Sequence, residues 1–234
     1  MIATMRRSSF GLIALLCGCF VKPDDPNAIA WVKAFVGKSF SGTDGTFSAQ
    51  AAGTGDAIVL HVFCGSAARP SIDITSSWTW TKLRPVGGAA SQWAASFGAI
   101  APDTATTQFN VSTGADCGSA MLVELGDEYE RRPDGGTTTF DGADLATGSG
   151  GPCVDVVTTH NAGDAVWGAC TSGGSTESIG NGFAQGATDG NSNYSEYKIT
   201  SDPANTPDRS RPESVTFANS TNAFVITAIT IKPR

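Results

Sequence analysis

Long apolar runs are missing from this chain of 234 residues. The strongest, from Phe10 to the two cysteines at Cys17 and Cys19, is about 10 residues long, whereas a membrane-spanning helix needs roughly 20. A transmembrane helix is therefore not expected. Charge is sparse, at 16% of residues. Leu, Lys and Glu, the usual helix formers, are scarce, so a helical bundle is not expected either. No Cys-x-x-Cys occurs and there are only two histidines, which argues against zinc. No Gly-x-Ser-x-Gly elbow is present, so His61 and His160 have no hydrolase nucleophile of that kind to serve. His61 lies between Leu60 and Val62 in an apolar run and His160 at a turn, which suits structural and capping roles. Beyond Arg131-Arg132 there is no basic cluster, and phosphate backbones are repelled by an acidic chain; nucleic acid is not an expected partner.

What the chain does have starts at its first residues. Arg6 and Arg7 precede the short apolar run, which closes on Leu16-Cys17-Gly18-Cys19. This is the layout of a bacterial secretory signal ending at a lipidated cysteine. Leu16 and Gly18 suit processing before Cys19; Cys17 at the middle position is unusual for a lipobox. The expected division is residues 1–18 as signal peptide, 19–27 as lipidated Cys19 and polar tether, and 28–234 as one β-sandwich domain. The alternatives are ordinary signal cleavage, leaving a periplasmic or secreted protein, and an uncleaved anchor or a misassigned start codon. Without Arg6 and Arg7, 13 Lys+Arg face 22 Asp+Glu, a formal charge of −9.

Gly is abundant at 28 residues, with many Ser and Thr, as in short strands joined by tight turns. Ten to twelve strands at about 10-residue spacing indicate an all-β, two-sheet antiparallel sandwich, jelly-roll-like. Ala57 to Cys64 is apolar on both faces and reads as a central buried strand; Ser119 to Leu125 and Ala223 to Ile231 are similar. The region from Gly126 to Gly151 reads as one long polar loop. Gly55-Asp56-Ala57-Ile58-Val59 is echoed by Gly163-Asp164-Ala165-Val166-Trp167. The echo fits two similar halves of a jelly roll, and equally one turn sequence used twice.

Four cysteines follow the signal, which in an exported chain reads as two disulfides. A hairpin turn between Asn161 and Ala162 would set Cys153 opposite Cys170, leaving Cys64 for Cys117.

The candidate sites are few. Trp78 and Trp80 share a face if both lie in one strand, and an exposed pair would stack on sugar rings; the alternative is burial in the core. Asp189, Asn191 and Asn193 place oxygens at alternate positions, as calcium loops do. Tyr194 and Thr200 stand where such a loop needs Gly and Glu, so calcium is only a weak candidate and no other cofactor is expected. Glu124, inside an apolar strand, is the most conspicuous acid. The sequons at Asn110, Asn193 and Asn219 carry little weight in a Ser/Thr-rich bacterial-type chain.

From Ile29 to Pro233 the order of elements resembles a family of exported bacterial β-sandwich domains of unassigned function. The resemblance rests on Gly55-Asp56, Trp80, Trp93-Ala94-Ala95, Met121 to Leu125, Gly163-Asp164, Gly182-Phe183, Tyr194-Ser195-Glu196-Tyr197 and Ile229 to Pro233. The cysteines lie outside that pattern. The resemblance implies a jelly-roll-like sandwich, a buried Trp80, a structural acid at Glu124 and no catalytic residues. The expected function is a non-enzymatic binding or structural protein of the envelope, membrane-associated through its lipid alone, with a glycan or cell-surface ligand as partner. The alternatives are an exported glycan hydrolase using a carboxylate pair, and a virion or appendage component.

Overall fold

The computed structural model describes residues 32–40, 42–50, 53–89, 91–115, 117, 119–125, 140–149, 151–159, 164–172, 178–189, 193–200, 211–217 and 223–231. The signal, Cys19 and the tether lie outside them. All the regular elements described are strands: β1 (Val32–Ser39), β2 (Asp44–Gln50), β3 (Ala57–Gly65), β4 (Asp73–Ser76), β5 (Trp80–Ala89), β6 (Gln92–Ile100), β7 (Thr106–Ser112), β8 (Ser119–Leu125), β9 (Phe140–Ser149), β10 (Cys153–Thr159), β11 (Ala165–Ser172), β12 (Ala184–Thr188), β13 (Tyr194–Ile199), β14 (Arg211–Phe217) and β15 (Ala223–Ile231). The all-β antiparallel class is as expected. The counts are larger: among the described residues fifteen strands form four sheets, with orders β1-β8-β3-β6-β5, β2-β7-β4, β12-β13-β11-β15-β9 and β10-β14.

The side chains show how the sheets stack. On β3, Ile58, Leu60 and Val62 pack with Phe47 of β2 and Phe109 and Val111 of β7. The opposite face of β3 puts Ala57 and Val59 against Trp167 of β11 and Ile229 of β15. The far face of that second five-stranded sheet, with Val166, Cys170 and Ile226, packs on Cys153, Val157, Val215 and Phe217 of β10 and β14. The layers therefore run three, five, five and two strands. Both central strands, β3 and β11, are apolar on both faces because each five-stranded sheet is covered on both sides. β2 and β7 are covered on one side only, and they alternate accordingly.

Two sequence-based boundaries are corrected by pairing. Within the expected loop from Gly126 to Gly151 lies β9, an edge strand formed along β15. Its run of Gly, Asp and Thr hides it, and Gly148 leaves room for a ring: a Cβ there would come within 2.5 Å of the tip of Phe224, which would have to shift. β10 and β11 do not form a hairpin either. β10 pairs with β14, and β11 with β13 and β15.

Both expected disulfides are present, Cys64–Cys117 and Cys153–Cys170. The second bridges two sheets rather than two neighbouring strands, with 6.6 Å between its Cα atoms. These bonds are compatible with an extracellular or periplasmic protein. Among the described residues no helix is long and apolar enough to cross a membrane.

Candidate functional site

Trp78 is buried in the core between the three-stranded and first five-stranded sheets. It precedes β5 in a bend, so it does not continue the strand alternation through Trp80. Ser76 organises this bend. Its hydroxyl accepts from Trp78 N–H and Trp80 Nε1–H, both at 3.0 Å, and donates to the Trp78 carbonyl. Trp80 is half-buried and lies against Phe109 with 5.2 Å between ring centres. The pair forms part of the packing, and Trp78 has no open face for a sugar ring.

The calcium candidate closes on itself. The Asp189 carboxylate accepts from Asn193 through both the backbone N–H, at 3.2 Å, and the side-chain amide. Asn191 lies outside the described residues. No cluster of three or more His, Cys, Asp or Glu able to hold a metal occurs among the described residues.

Glu124 lies opposite Ile58 on β3 and Ala34 on β1 in the register of its sheet; its side chain is outside the description. The acid with the most distinctive setting is Glu196, which sequence reasoning did not single out as a site. It is buried on β13, and its carboxylate accepts backbone N–H groups of Gly180 and Thr216. Burial raises its pKa, and the two N–H bonds oppose the rise. Its chemistry is that of a cap on the edge of β14.

His61 and Ser96 look at first like a catalytic pair. His61 Nδ1 and Ser96 Oγ are 2.8 Å apart, and Ser96 Oγ is also 2.8 Å from Thr227 Oγ1. All three side chains are fully buried. The chain of bonds runs from β3 and β6 of one five-stranded sheet to β15 of the other, with the His61 ring near Trp167. Burial holds the imidazole pKa down to about 3, so the ring is neutral. A group sealed between two sheets cannot reach a substrate; this one joins the layers.

The surface with uniform binding chemistry is the outer face of the three-stranded sheet. Thr46, Ser48, Thr75, Thr106, Gln108 and Asn110 are all exposed there. Cross-strand register aligns Thr46, Asn110 and Thr75 in one row, and Ser48 with Gln108 in the next. Thr46 Oγ1 donates to Asn110 Oδ1 at 2.8 Å, which orients that amide. At one end of the face, Asp73 is tied to Lys82 at 2.9 Å and Asp44 accepts from Thr43. The signal for this face was legible in the alternation Thr106-Thr-Gln-Phe-Asn-Val-Ser112, whose polar positions are mostly amides and hydroxyls.

Comparison with family models, with curated proteins and with solved structures found no match to this chain.

Proposed function

We propose that the protein is an exported, non-enzymatic binding protein of the bacterial envelope, tethered through a lipidated Cys19, which holds a neutral polysaccharide on the outer face of its three-stranded sheet. The observation that carries this reading is the uncharged row of hydroxyls and amides at Thr46, Asn110, Thr75, Ser48 and Gln108. Such groups exchange hydrogen bonds with water for hydrogen bonds with sugar hydroxyls, and their rows across the strands offer an extended glycan successive partners. The acidic chain disfavours polyanionic glycans. The two disulfides suit the oxidising compartment that this reading requires. A carboxylate-pair hydrolase gains no support from Asp73, Asp189 or Glu196, each of which is engaged by the protein itself.

The test is a glycan array probed with the mature chain and with Gln108→Lys and Asn110→Ala. Binding to neutral glycans is expected, weakened at least tenfold by either substitution, with thermal unfolding unchanged because both side chains are exposed. Binding indifferent to both substitutions, or release of cleaved glycan, overturns the proposal. Mass spectrometry of the N-terminus from the membrane fraction tests the anchor; a mature chain without acylated Cys19 removes it.

A further inference from the structure

The first eight strands and the last seven follow the same path. Let β9, β10 and β11 correspond to β1, β2 and β3, and β12 to β15 correspond to β5 to β8. The first five-stranded sheet, β1-β8-β3-β6-β5, then becomes β9-β15-β11-β13-β12, which is the order of the other five-stranded sheet. Pair β2-β7 becomes β10-β14, the two-stranded sheet. Only β4 lacks a counterpart among the described strands.

Register agrees as well as order. Ala57 lies opposite Ile100 and Leu125; Ala165 lies opposite Ile199 and Ile231. Val32 opposite Leu125 matches Phe140 opposite Ile231. The Asp56 carbonyl accepts from Ala101 N–H, and the Asp164 carbonyl from Thr200 N–H, each at 2.9 Å. The echoed Gly-Asp-Ala segments thus enter equivalent strands in equivalent ways. Each half holds one disulfide, and neither bond crosses between them.

The halves also meet reciprocally. β1 lies beside β12, and β5 lies beside β9. Since β12 corresponds to β5 and β9 to β1, these are one contact occurring twice. That reciprocity is the mark of a two-fold, isologous interface. Val59, Phe63 and Met121 from the first half meet Trp167, Ala169 and Ile229 from the second, on the same face of each five-stranded sheet.

We infer that the chain is a fused dimer: two diverged copies of one jelly-roll-like unit, residues 32–125 and 140–231, each using its inner sheet face as the docking surface for the other copy. The order within each unit places strands one, eight, three and six in one sheet and strands two and seven in the other, as two interleaved Greek keys do. This inference is independent of the proposed glycan face.

The test keeps the full-length chain and introduces a single protease site within residues 126–139. After cleavage no covalent bond joins the units, because both disulfides lie inside units. The two fragments are expected to co-elute as a 1:1 complex at micromolar concentration, with native mass spectrometry showing nothing larger, since an isologous interface closes on itself. A second chain carries the same site and Ala169→Asp, which sets a carboxylate in the joint. Uncut, it is first checked for intact disulfides and native near-ultraviolet circular dichroism; if it fails that check, Val59→Lys replaces it from the other side. Once cut, the charged chain is expected to elute as separate fragments. Separation of the unsubstituted fragments on cleavage, complexes larger than 1:1, or co-elution that survives the charge would each overturn the inference.

Discussion

At the residue scale the most consequential side chain is His61. Its folded pKa of about 3 lies well below the ordinary histidine value of 6.5. The unfolded chain therefore takes up a proton, as pH falls through 6.5, that the folded chain refuses. The stability associated with neutral His61 is complete above pH 6.5 and is lost as pH falls toward 3. The slope approaches about 1.4 kcal/mol per pH unit within that window. Replacing His61 by Phe should flatten this part of the stability–pH curve, measured by urea unfolding at a series of pH values; an unchanged slope would show that other groups dominate. Ser96→Ala removes the bonding partner of His61 Nδ1 and should cost about 1–3 kcal/mol. The sequence made His61 legible as a buried structural histidine, because Leu60 and Val62 flank it. It could not show Ser96 or Thr227, since those contacts depend on which sheets stack. Trp78 and Trp80 teach a related point. Equal spacing places two residues on one face only if the strand is continuous through both, and the Ser76 bend interrupts it.

At the element scale, strands with unbroken apolar runs were legible to the residue: Ser119–Leu125 and Ala223–Ile231 match expectation. β9 was not, because an edge strand of Gly, Asp and Ala is defined by its partner β15 rather than by its own pattern. The cysteine pairing was reached through a hairpin that does not exist. Cys153 and Cys170 do meet, but across two sheets. Spacing brought both residues to the same end of the fold, and that was enough. Replacing both members of a pair by Ser should destabilise by about 3–4 kcal/mol, somewhat more for the pair separated by 53 residues than for the pair separated by 17, measured by denaturant unfolding. Gly37 offers a sharper element-level test. A Cβ on it would overlap the backbone carbonyl of Thr188, where β1 and β12 run side by side. Backbone cannot swing aside as a side chain can, so Gly37→Ala should lower stability by about 1–3 kcal/mol or more. Gly65→Ala, with open space around it, is the control and should stay within about 0.5 kcal/mol in the same assay.

At the scale of the whole molecule, composition sufficed for the all-β class and an echo of five residues hinted at two halves. The four sheets and fifteen strands of the described residues were not countable from the sequence, because the edge strands of the second half are written in turn residues. With sheets about 10 Å apart, the outermost layers lie about 30 Å from one another and face opposite ways. They are not alike. The three-stranded face is hydroxyl and amide; the two-stranded face exposes Val154 and Val156. Any ligand of the first face should therefore leave the second free, which competition binding on the array would read as independent sites.

One consequence follows from where the disulfides are not. Both lie inside units, and among the described residues the joint between the units is packed side chains together with the His61–Ser96–Thr227 bonds, with no disulfide across it. Pulled from its two ends, the molecule has a preferred place to part. The units should slide or peel from each other before either loses its fold, paying out the residues from 126 to 139, about 50 Å of chain at full stretch. A body tethered at one end and gripped at the other would then lengthen under load and close again when the load is released.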